Sequence, residues 1–279
     1  MRKVILYIVY GDDYGYYDGA KFSFLTFMNW ISKDEKFEFW ILTEKPELFS
    51  NYPVNLIEMT QEQKKSWSLD HRYHFRIKNR GLAFVMDKLD LEEQDKILFL
   101  DTDTYFFKSP LGLFDLITSN QALFYLNEGL IHKRKRFRVY VEHLKGKKIK
   151  IDKNIYQLSE DSALWGSLMI GIMTNMRNNL EWADKLMLKL FELVPSHTIE
   201  PFSLSESLLM DFQIAEGKDF VSLYSTSRKK DYAKNILSSF FSEFQTLPVD
   251  VQISMAQEVK LKRPFYIVLK QRLFQLLNL

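Results

Sequence analysis

The sequence contains no cysteine among its 279 residues. Disulfide bonds, thiolate metal sites and cysteine nucleophiles are therefore excluded, and the composition fits a reducing interior. No stretch approaches the roughly 18 consecutive apolar residues of a membrane-spanning helix. The opening residues, MRKVILYIVYGDD, join a basic start to a short apolar run without a small-residue cleavage site. They predict a first strand rather than a signal peptide.

Several nucleotide-binding and nucleophile motifs are also missing. The chain has no Gly-x-Gly-x-x-Gly sequence, no Walker loop and no Gly-x-Ser-x-Gly elbow, which disfavours Rossmann dehydrogenases, P-loop enzymes and α/β-hydrolases. A formal net charge of +2 does not indicate a nucleic-acid partner. What is present is 46% hydrophobic and 15% aromatic residues, enough for a sizeable core in one large domain or two small ones.

The first half of the chain alternates strand and helix patterns. Continuous apolar runs predict strands at 4–10, 38–42, 54–58, 97–100 and 122–126. Helical spacing predicts helices at 19–31, capped by Asp18, and at 70–89. This alternation predicts an α/β fold in which helices flank a mixed, mainly parallel sheet.

The second half is less regular. It predicts strands at 167–172 and 220–223, helices at 180–190 and 203–212, and a helical tail from 249 onward apart from Pro264. No repeat or linker interrupts the chain, so we expect a single domain over 1–248, with halves 1–107 and 108–248, followed by a basic amphipathic tail at 249–279.

The segment KILFLDTDTYF, residues 96–106, places two acids at the end of a strand that reads as buried. In an open α/β sheet, ligands bind beyond the carboxyl ends of the strands. If the strand continues, Asp101 and Asp103 share a face and can converge on one point. Two carboxylates so close repel each other unless a cation intervenes, and Mg²⁺ or Mn²⁺ supplies that charge. The structural alternative is a turn in which each aspartate accepts hydrogen bonds from backbone amides.

This segment resembles the Asp-x-Asp strand end of GT-A fold glycosyltransferases, in particular the family-8-like group that includes glycogenin and bacterial lipopolysaccharide glycosyltransferases. The resemblance implies that Asp101, Thr102 and Asp103 bind a nucleotide-sugar, with Asp101 and Asp103 holding Mn²⁺ or Mg²⁺ and the diphosphate. Residues 7–30 resemble the family's first strand and helix, which would place Tyr10 and Gly11 near the base and ribose.

Residues 73–89 resemble the helix that precedes the Asp-x-Asp strand in this family. The resemblance implies that Arg76 or Lys78 reaches a phosphate or the acidic pair, while the alternative is a solvated basic helix face. It also implies that 1–107 is the nucleotide-sugar-binding half and 108–248 the acceptor half.

The resemblance is looser downstream. The family's Asn-Ser/Ala-Gly signature corresponds to LWGSLM at 164–169. In this segment neither an Asn nor a Gly stands at the position that the signature requires. Glu200 matches an acid that contacts the donor sugar or acceptor, but the following amide residue is Pro201 here. A late histidine is a metal ligand in the family, and VSLYSTSRKKDY has none.

A second acidic pair, Glu160 and Asp161, could supply the base that deprotonates an acceptor hydroxyl in an inverting enzyme. The structural alternative, a loop or helix cap, is favoured by the preference of Asp and Ser for such positions. The five histidines show no i, i+4 metal pair, and packing or surface roles are expected for them.

Two basic regions stand apart from this site. Residues 132–150 carry nine Lys or Arg and one Glu, and the tail from 260 interleaves cations with apolar residues. A basic amphipathic segment can lie on an anionic membrane surface, although a tail docked on the core is equally compatible. We therefore expect a cytoplasmic protein that can attach peripherally to the inner face of the membrane. We expect no nucleic-acid partner.

Together these features predict a metal-dependent glycosyltransferase, a hexosyltransferase, that uses a nucleotide-sugar. A UDP-sugar is the first expectation, with a glycan or lipid-linked acceptor in cell-surface polysaccharide synthesis. One alternative is a phosphohydrolase, because DTDTY loosely resembles the nucleophile loop of haloacid-dehalogenase-like enzymes. Tyr105 and the late position of the loop count against it. Another is a non-catalytic nucleotide-sugar-binding or membrane-adaptor protein.

Overall fold

The computed structural model describes residues 1–32 and 34–262. Its first half alternates strands and helices as predicted. The elements are β1 (Lys3–Val9), α1 (Tyr14–Met28), β2 (Glu38–Thr43), β3 (Asn55–Glu58), α2 (Gln61–Trp67), α3 (Arg76–Lys88), β4 (Lys96–Leu100) and β5 (Thr104–Phe106).

The second half contains more elements than the sequence pattern indicated. They are α4 (Leu111–Asp115), β6 (Gln121–Leu130), α5 (Arg138–Leu144), β7 (Ile149–Ile151), β8 (Asn154–Tyr156), β9 (Ala163–Met173), α6 (Arg177–Leu193), α7 (Ile199–Leu209), β10 (Gln213–Glu216), β11 (Val221–Leu223), α8 (Ser227–Phe244) and α9 (Val249–Ala256). The expected division of the chain into halves, domain and tail stays a prediction.

One seven-stranded sheet organises the fold, in the order β10-β6-β9-β4-β1-β2-β3. β1 pairs in parallel with β2 and β4, and the pairs β2–β3 and β6–β10 are also parallel. The eleven-residue strand β9 runs antiparallel to both of its neighbours, β4 and β6. The mixed, mainly parallel sheet expected from the sequence is therefore confirmed.

Helices cover both faces of this sheet, because its central strands are apolar on both sides. α1, α8 and α9 pack in one core, which includes Phe22, Phe27 and Leu237. α3, α6 and α7 contribute Leu82, Leu180 and other side chains to the core of the opposite face. A third core joins α5 and the β7–β8 hairpin to α6 and α7.

Three predicted helix boundaries are corrected. α1 begins at Tyr14 rather than Gly19, because Asp13 and not Asp18 accepts the capping hydrogen bond, from the amide of Gly15. α3 begins at Arg76 rather than at residue 70, because residues 69–71 have positive φ angles of 54°, 54° and 66°. α7 begins at Ile199, four residues before the predicted start, so Glu200 lies in its first turn.

The structure describes the first basic region completely and the second only in part. Every Lys and Arg of residues 132–150 is exposed, on α5, β7 and the turns around them. α9 confirms the start of the predicted helical tail, but the helix ends at Ala256 and residues 257–262 are not helical, so the prediction is wrong there. Residues 263–279 lie outside the described part of the chain. Among the described residues, no helix has the length and apolar character that crossing a membrane requires.

Candidate active site

The candidate site lies where the carboxyl ends of β1 and β4 meet. These two strands are parallel neighbours, with Tyr7 opposite Leu100, so both chains leave the sheet at the same edge. A cleft of about 580 Å³ opens there. Five residues singled out from the sequence line it: Tyr10, Lys78, Asp101, Thr102 and Asp103.

Asp101 is the first residue after β4. Its amide N–H donates to the carbonyl of Leu168 on β9 at 2.9 Å, which keeps it in line with the sheet. Its Oδ2 accepts a hydrogen bond from Lys78 Nζ at 3.1 Å, and 28% of its side chain stays exposed. Burial raises the pKa of Asp101, and the ammonium of Lys78 opposes that effect.

Asp103 is the more buried carboxylate. Its Oδ2 lies 3.1 Å from Lys230 Nζ, at the start of α8. Its Oδ1 is buried and has no hydrogen-bond partner among the described residues. The backbone carbonyl of Asp103 accepts from the amide of Tyr224 at 3.2 Å, so the acidic loop is tied to the segment that leads into α8.

Thr102 contributes its backbone to the site. Its carbonyl accepts a hydrogen bond from the Tyr224 hydroxyl at 3.0 Å. Gly19 of α1 lies against the same carbonyl, and a Cβ atom at position 19 would stand 2.2 Å from that oxygen. A glycine is therefore required at this close approach of helix and loop.

Glu200 lies behind the cleft and does not line it. Its side chain is 1% exposed, Oε2 accepts from Ser167 Oγ at 2.9 Å, and Lys78 Nζ lies 3.6 Å away. Burial raises the pKa of Glu200 to about 7, despite the opposing charge of Lys78. The contacts that Glu200 makes are with Ser167 and Lys78, so it can position Lys78. Its expected contact with the donor sugar or acceptor stays a prediction.

Lys78 thus bridges two acids. It lies in the first turns of α3, and Nζ also contacts the carbonyl and hydroxyl oxygens of Ser167 at 3.1 Å. Burial alone lowers the pKa of Lys78, but Asp101 and Glu200 raise it above its usual value. Lys78 is therefore a fixed cation on the cleft wall.

The titration of Glu200 predicts a pH-dependent stability. Its folded pKa of about 7 exceeds the usual value of 4.5, so the folded state binds more protons between these limits and stability falls as the pH rises through this window. The full shift corresponds to up to about 3 kcal/mol. In Glu200→Gln this contribution is absent. Urea unfolding at about pH 5 and about pH 8 should therefore show that the free energy of unfolding of the variant, relative to that of the wild type, increases as the pH rises. A stability difference that stays constant with pH would contradict the assignment.

Tyr10 and Gly11 lie at the end of β1, as expected. Tyr10 lines the cleft, and its hydroxyl donates to the carbonyl of His74 at 3.1 Å. Gly11 has a φ of 91°, which favours glycine, and its amide donates to Glu44 Oε2 at 2.7 Å. This turn directs the chain from β1 toward α1 beside the cleft.

Three sequence candidates lie elsewhere. Arg76 is buried and forms a bidentate pair with Asp184 of α6, at 2.6 and 2.7 Å. Because two helical positions differ by about 200° around the axis, Arg76 and Lys78 point to different sides of α3. Glu160 and Asp161 are exposed in the turn that precedes β9, and neither lines the cleft.

Lys230 and Tyr224 are the residues that sequence reasoning missed. Lys230 lines the cleft, and although burial lowers its pKa, Asp103 raises that pKa above the usual value. The available signal was the cationic run RKK, which follows the end of the short strand β11. His74 and His197 also line the cleft, and burial lowers the pKa of His74.

The donor set fits a hard divalent cation bound together with a ligand. No group of three or more His, Asp or Glu side chains within the described ranges could hold a metal alone. However, Asp103 keeps a buried, unpartnered Oδ1, and Asp101 uses only Oδ2 toward Lys78. One oxygen of each carboxylate therefore has no partner within residues 1–32 and 34–262 and can bind a cation. Mg²⁺ is commonly held by one or two carboxylates plus substrate phosphates.

No family model matches the sequence, and no curated protein matches it. Among solved structures, the chain is similar to the galactosyltransferase LgtC in complex with donor and acceptor sugar analogs. The TM-score is 0.56 at 12% sequence identity, over 94% of this chain and 98% of that chain. An active-site mutant of LgtC gives a TM-score of 0.50 at 13% identity, over 77% and 72%.

The apo structure of the bifunctional glycosyltransferase WbbM gives a TM-score of 0.46 at 11% identity, over 77% of this chain and 38% of that chain. The two LgtC structures, at these identities, establish the fold alone: a mixed α/β fold shared with GT-A glycosyltransferases, as expected from the sequence.

Proposed function

We propose that the protein is a glycosyltransferase that moves a sugar from a nucleotide-sugar, with a UDP-sugar as the first candidate, to a glycan or lipid-linked acceptor. The observation that carries the proposal is the pairing of each Asp-x-Asp carboxylate with a lysine in one cleft. Asp101 pairs with Lys78 and Asp103 with Lys230, both at 3.1 Å. The cleft lies at the carboxyl ends of parallel strands, where open α/β sheets bind ligands.

This arrangement suits the charge that develops during sugar transfer. When the bond from the sugar to the diphosphate breaks, negative charge grows on the leaving nucleoside diphosphate. Fixed cations beside that position stabilise the transition state, and such electrostatic stabilisation is often the largest contribution to catalysis. Lys78 is held by Asp101, Glu200 and Ser167, so its ammonium is oriented before substrate binds.

Asp101 and Asp103 would hold the Mn²⁺ or Mg²⁺ ion of the proposed enzyme, together with the diphosphate. When bound, such an ion neutralises the leaving group as a Lewis acid. The nearby ammonium groups disfavour a free cation, so we expect the metal to bind weakly unless the diphosphate is present. Tyr10 and Gly11 would lie beside the nucleoside, since they close the end of β1 at the same cleft.

The acceptor and cellular setting are also proposals. We place the work at the cytoplasmic face of the membrane, in cell-surface polysaccharide synthesis, with residues 132–150 facing the anionic surface. Most of the basic tail at 260–279 lies outside the described residues. The exposure of every cation in 132–150 supports this for the first segment.

Titration calorimetry of UDP and of GDP, each with and without Mn²⁺, tests the proposal. We expect one nucleoside diphosphate to bind in the presence of Mn²⁺ and to bind at least about tenfold more weakly without it. Binding of neither nucleotide by folded protein would contradict the proposal. Binding without sugar transfer or donor hydrolysis would instead favour the non-catalytic alternative.

A further inference from the structure

A second cleft has a volume of about 720 Å³, similar in size to the cleft around Asp101. Three parts of the chain form it: the loop before α3, the β7–β8 hairpin and the outer face of α6. From α6 it is lined by Lys185, Leu188, Lys189 and Glu192, whose spacing places them on one helix face. None of its lining residues belongs to the Asp101 cleft.

The lining of this cleft is cationic. Arg72, Lys150, Lys185 and Lys189 face two acids, Asp152 and Glu192, in a lining with a net charge of +2. Lys185 pairs with Asp152 at 2.5 Å. Among the described residues, Lys150 and Lys189 form no ion pair, and both are exposed. Two cations of one concave surface are therefore free for an anionic ligand.

The floor of the cleft is apolar and contains an aromatic ring. Leu69, Ile151, Leu188 and Phe191 form it, and the guanidinium of Arg72 lies 5.8 Å from the centre of the Phe191 ring. Binding sites for small ligands combine such apolar and aromatic walls with a few placed polar groups. A sugar ring offers an apolar face to the floor, and a phosphate or carboxylate on it would reach the lysines.

A single loop connects this cleft to the candidate active site. Arg72 lines the basic cleft and His74 lines the Asp101 cleft. Their Cα atoms are two residues apart, so they cannot be separated by more than about 7.6 Å. Tyr73 between them accepts a hydrogen bond from the amide of Glu200 at 2.8 Å, which fixes the loop to α7. The two clefts are therefore neighbours that share this loop.

We infer that the basic cleft binds a saccharide bearing a phosphate or carboxylate group, and that this saccharide is part of the acceptor. The assignment to the acceptor rests on the proposed glycosyl transfer, whereas the binding of the anionic sugar does not. Exposed lysines alone would attract either an anionic sugar or an anionic bilayer. The concave shape of the cleft favours a single sugar group over the flat surface of a bilayer. The cleft thus serves as a subsite that selects charged acceptors.

Saturation-transfer NMR with glucose 6-phosphate tests the inference, with glucose and inorganic phosphate as comparison probes. We expect glucose 6-phosphate to bind more tightly than either, because it engages both the floor and the lysines. Lys150→Glu/Lys189→Glu should weaken this binding by about tenfold or more, since two favourable charges are reversed. Lys150→Gln/Lys189→Gln gives a milder second variant, and thermal unfolding verifies that each is folded.

The matched control is Lys133→Glu/Lys135→Glu, which makes the same change of charge at two exposed positions of the basic segment outside the cleft. This control should bind glucose 6-phosphate like the wild type. Equal loss in both charge-reversed proteins, or no binding of glucose 6-phosphate to the wild type, would overturn the inference.

Two further measurements separate the sources of the anion and the two proposals. Vesicles of phosphatidylcholine with phosphatidylglycerol should still bind the Lys150→Glu/Lys189→Glu protein. If this variant no longer binds vesicles and the wild type does not bind glucose 6-phosphate, the cleft is a lipid site and the inference is overturned. UDP binding should be unchanged in the variant. If the wild type binds glucose 6-phosphate but no nucleotide, the cleft stands and the transferase proposal fails.

Discussion

Asp103→Asn is expected to lower the rate of sugar transfer by roughly 10²–10³-fold, in the range seen when one preorganised electrostatic group is removed. Asparagine has nearly the shape of aspartate, and the backbone hydrogen bond from Tyr224 to residue 103 is kept. What is lost is the charge that holds Lys230 at 3.1 Å and the free buried oxygen proposed as a metal ligand. The fold should therefore survive while transfer and Mn²⁺-dependent nucleotide binding are lost.

Release of UDP from a panel of UDP-sugars, with and without acceptor, measures this effect, and thermal unfolding shows whether the variant is folded. Asp161→Asn is the matched control, because it makes the same chemical change on an exposed turn outside the cleft. It should keep the wild-type rate. Transfer by folded Asp103→Asn within about threefold of the wild type would remove Asp103 from the proposed site, since such a factor is under 1 kcal/mol.

The central part of this site was predictable because its signal is local. An apolar strand that ends in Asp-x-Asp contains both the sheet position and the two charges within eleven residues. The alternation of strands and helices likewise predicted the sheet on which the site sits. Lys78 was among the candidates because it lies in the helix directly before that strand.

The partners of these residues were not predictable, because they are brought close only by the fold. Lys230 is 127 positions from Asp103, and no local pattern distinguishes it from its neighbours Lys229 and Arg228. The start of α3 was missed because residues 69–71 adopt positive φ angles. Asp70 and His71 are residue types that tolerate this conformation, but Leu69 gives no indication of it. For the same reason the sequence did not show that Glu200 lies in the first turn of α7 and is buried against Lys78.

Arg76 forms a buried ion pair that the sequence did not indicate. The sequence allowed a phosphate contact or a solvated face, and the structure instead pairs it with Asp184, 108 positions away. The pair joins α3 to α6 with side chains that are 10% and 8% exposed. Nη1 of Arg76 also donates to the carbonyls of Ser66 and Trp67, so four of its five N–H groups have acceptors within the protein.

Asp184→Ala is expected to lower the free energy of unfolding by about 3–5 kcal/mol, because it leaves the Arg76 guanidinium buried without a counter-charge. The same two helices provide a matched control. Arg177 of α6 forms a bidentate pair with Asp87 of α3, at 2.7 and 2.6 Å, but the Asp87 side chain is 57% exposed. Asp87→Ala should cost less, about 1 kcal/mol. The Arg177 side chain that remains is 20% exposed and keeps Glu181 at 3.3 Å, so its charge is still partly compensated.

Urea unfolding of the two variants at one pH compares a buried pair with a more exposed one, in the same two helices and with similar bond lengths. Arg80 also lies 3.6 Å from Asp184, so its loss of a partner adds to the cost of Asp184→Ala. Equal losses of stability in Asp184→Ala and Asp87→Ala would contradict the argument. A further variant, Arg76→Met/Asp184→Leu, removes both buried charges and should be more stable than Asp184→Ala alone, because the cost of the single change is the unpaired charge rather than the lost attraction. If the double variant is the less stable of the two, the ion pair itself stabilises the contact between α3 and α6.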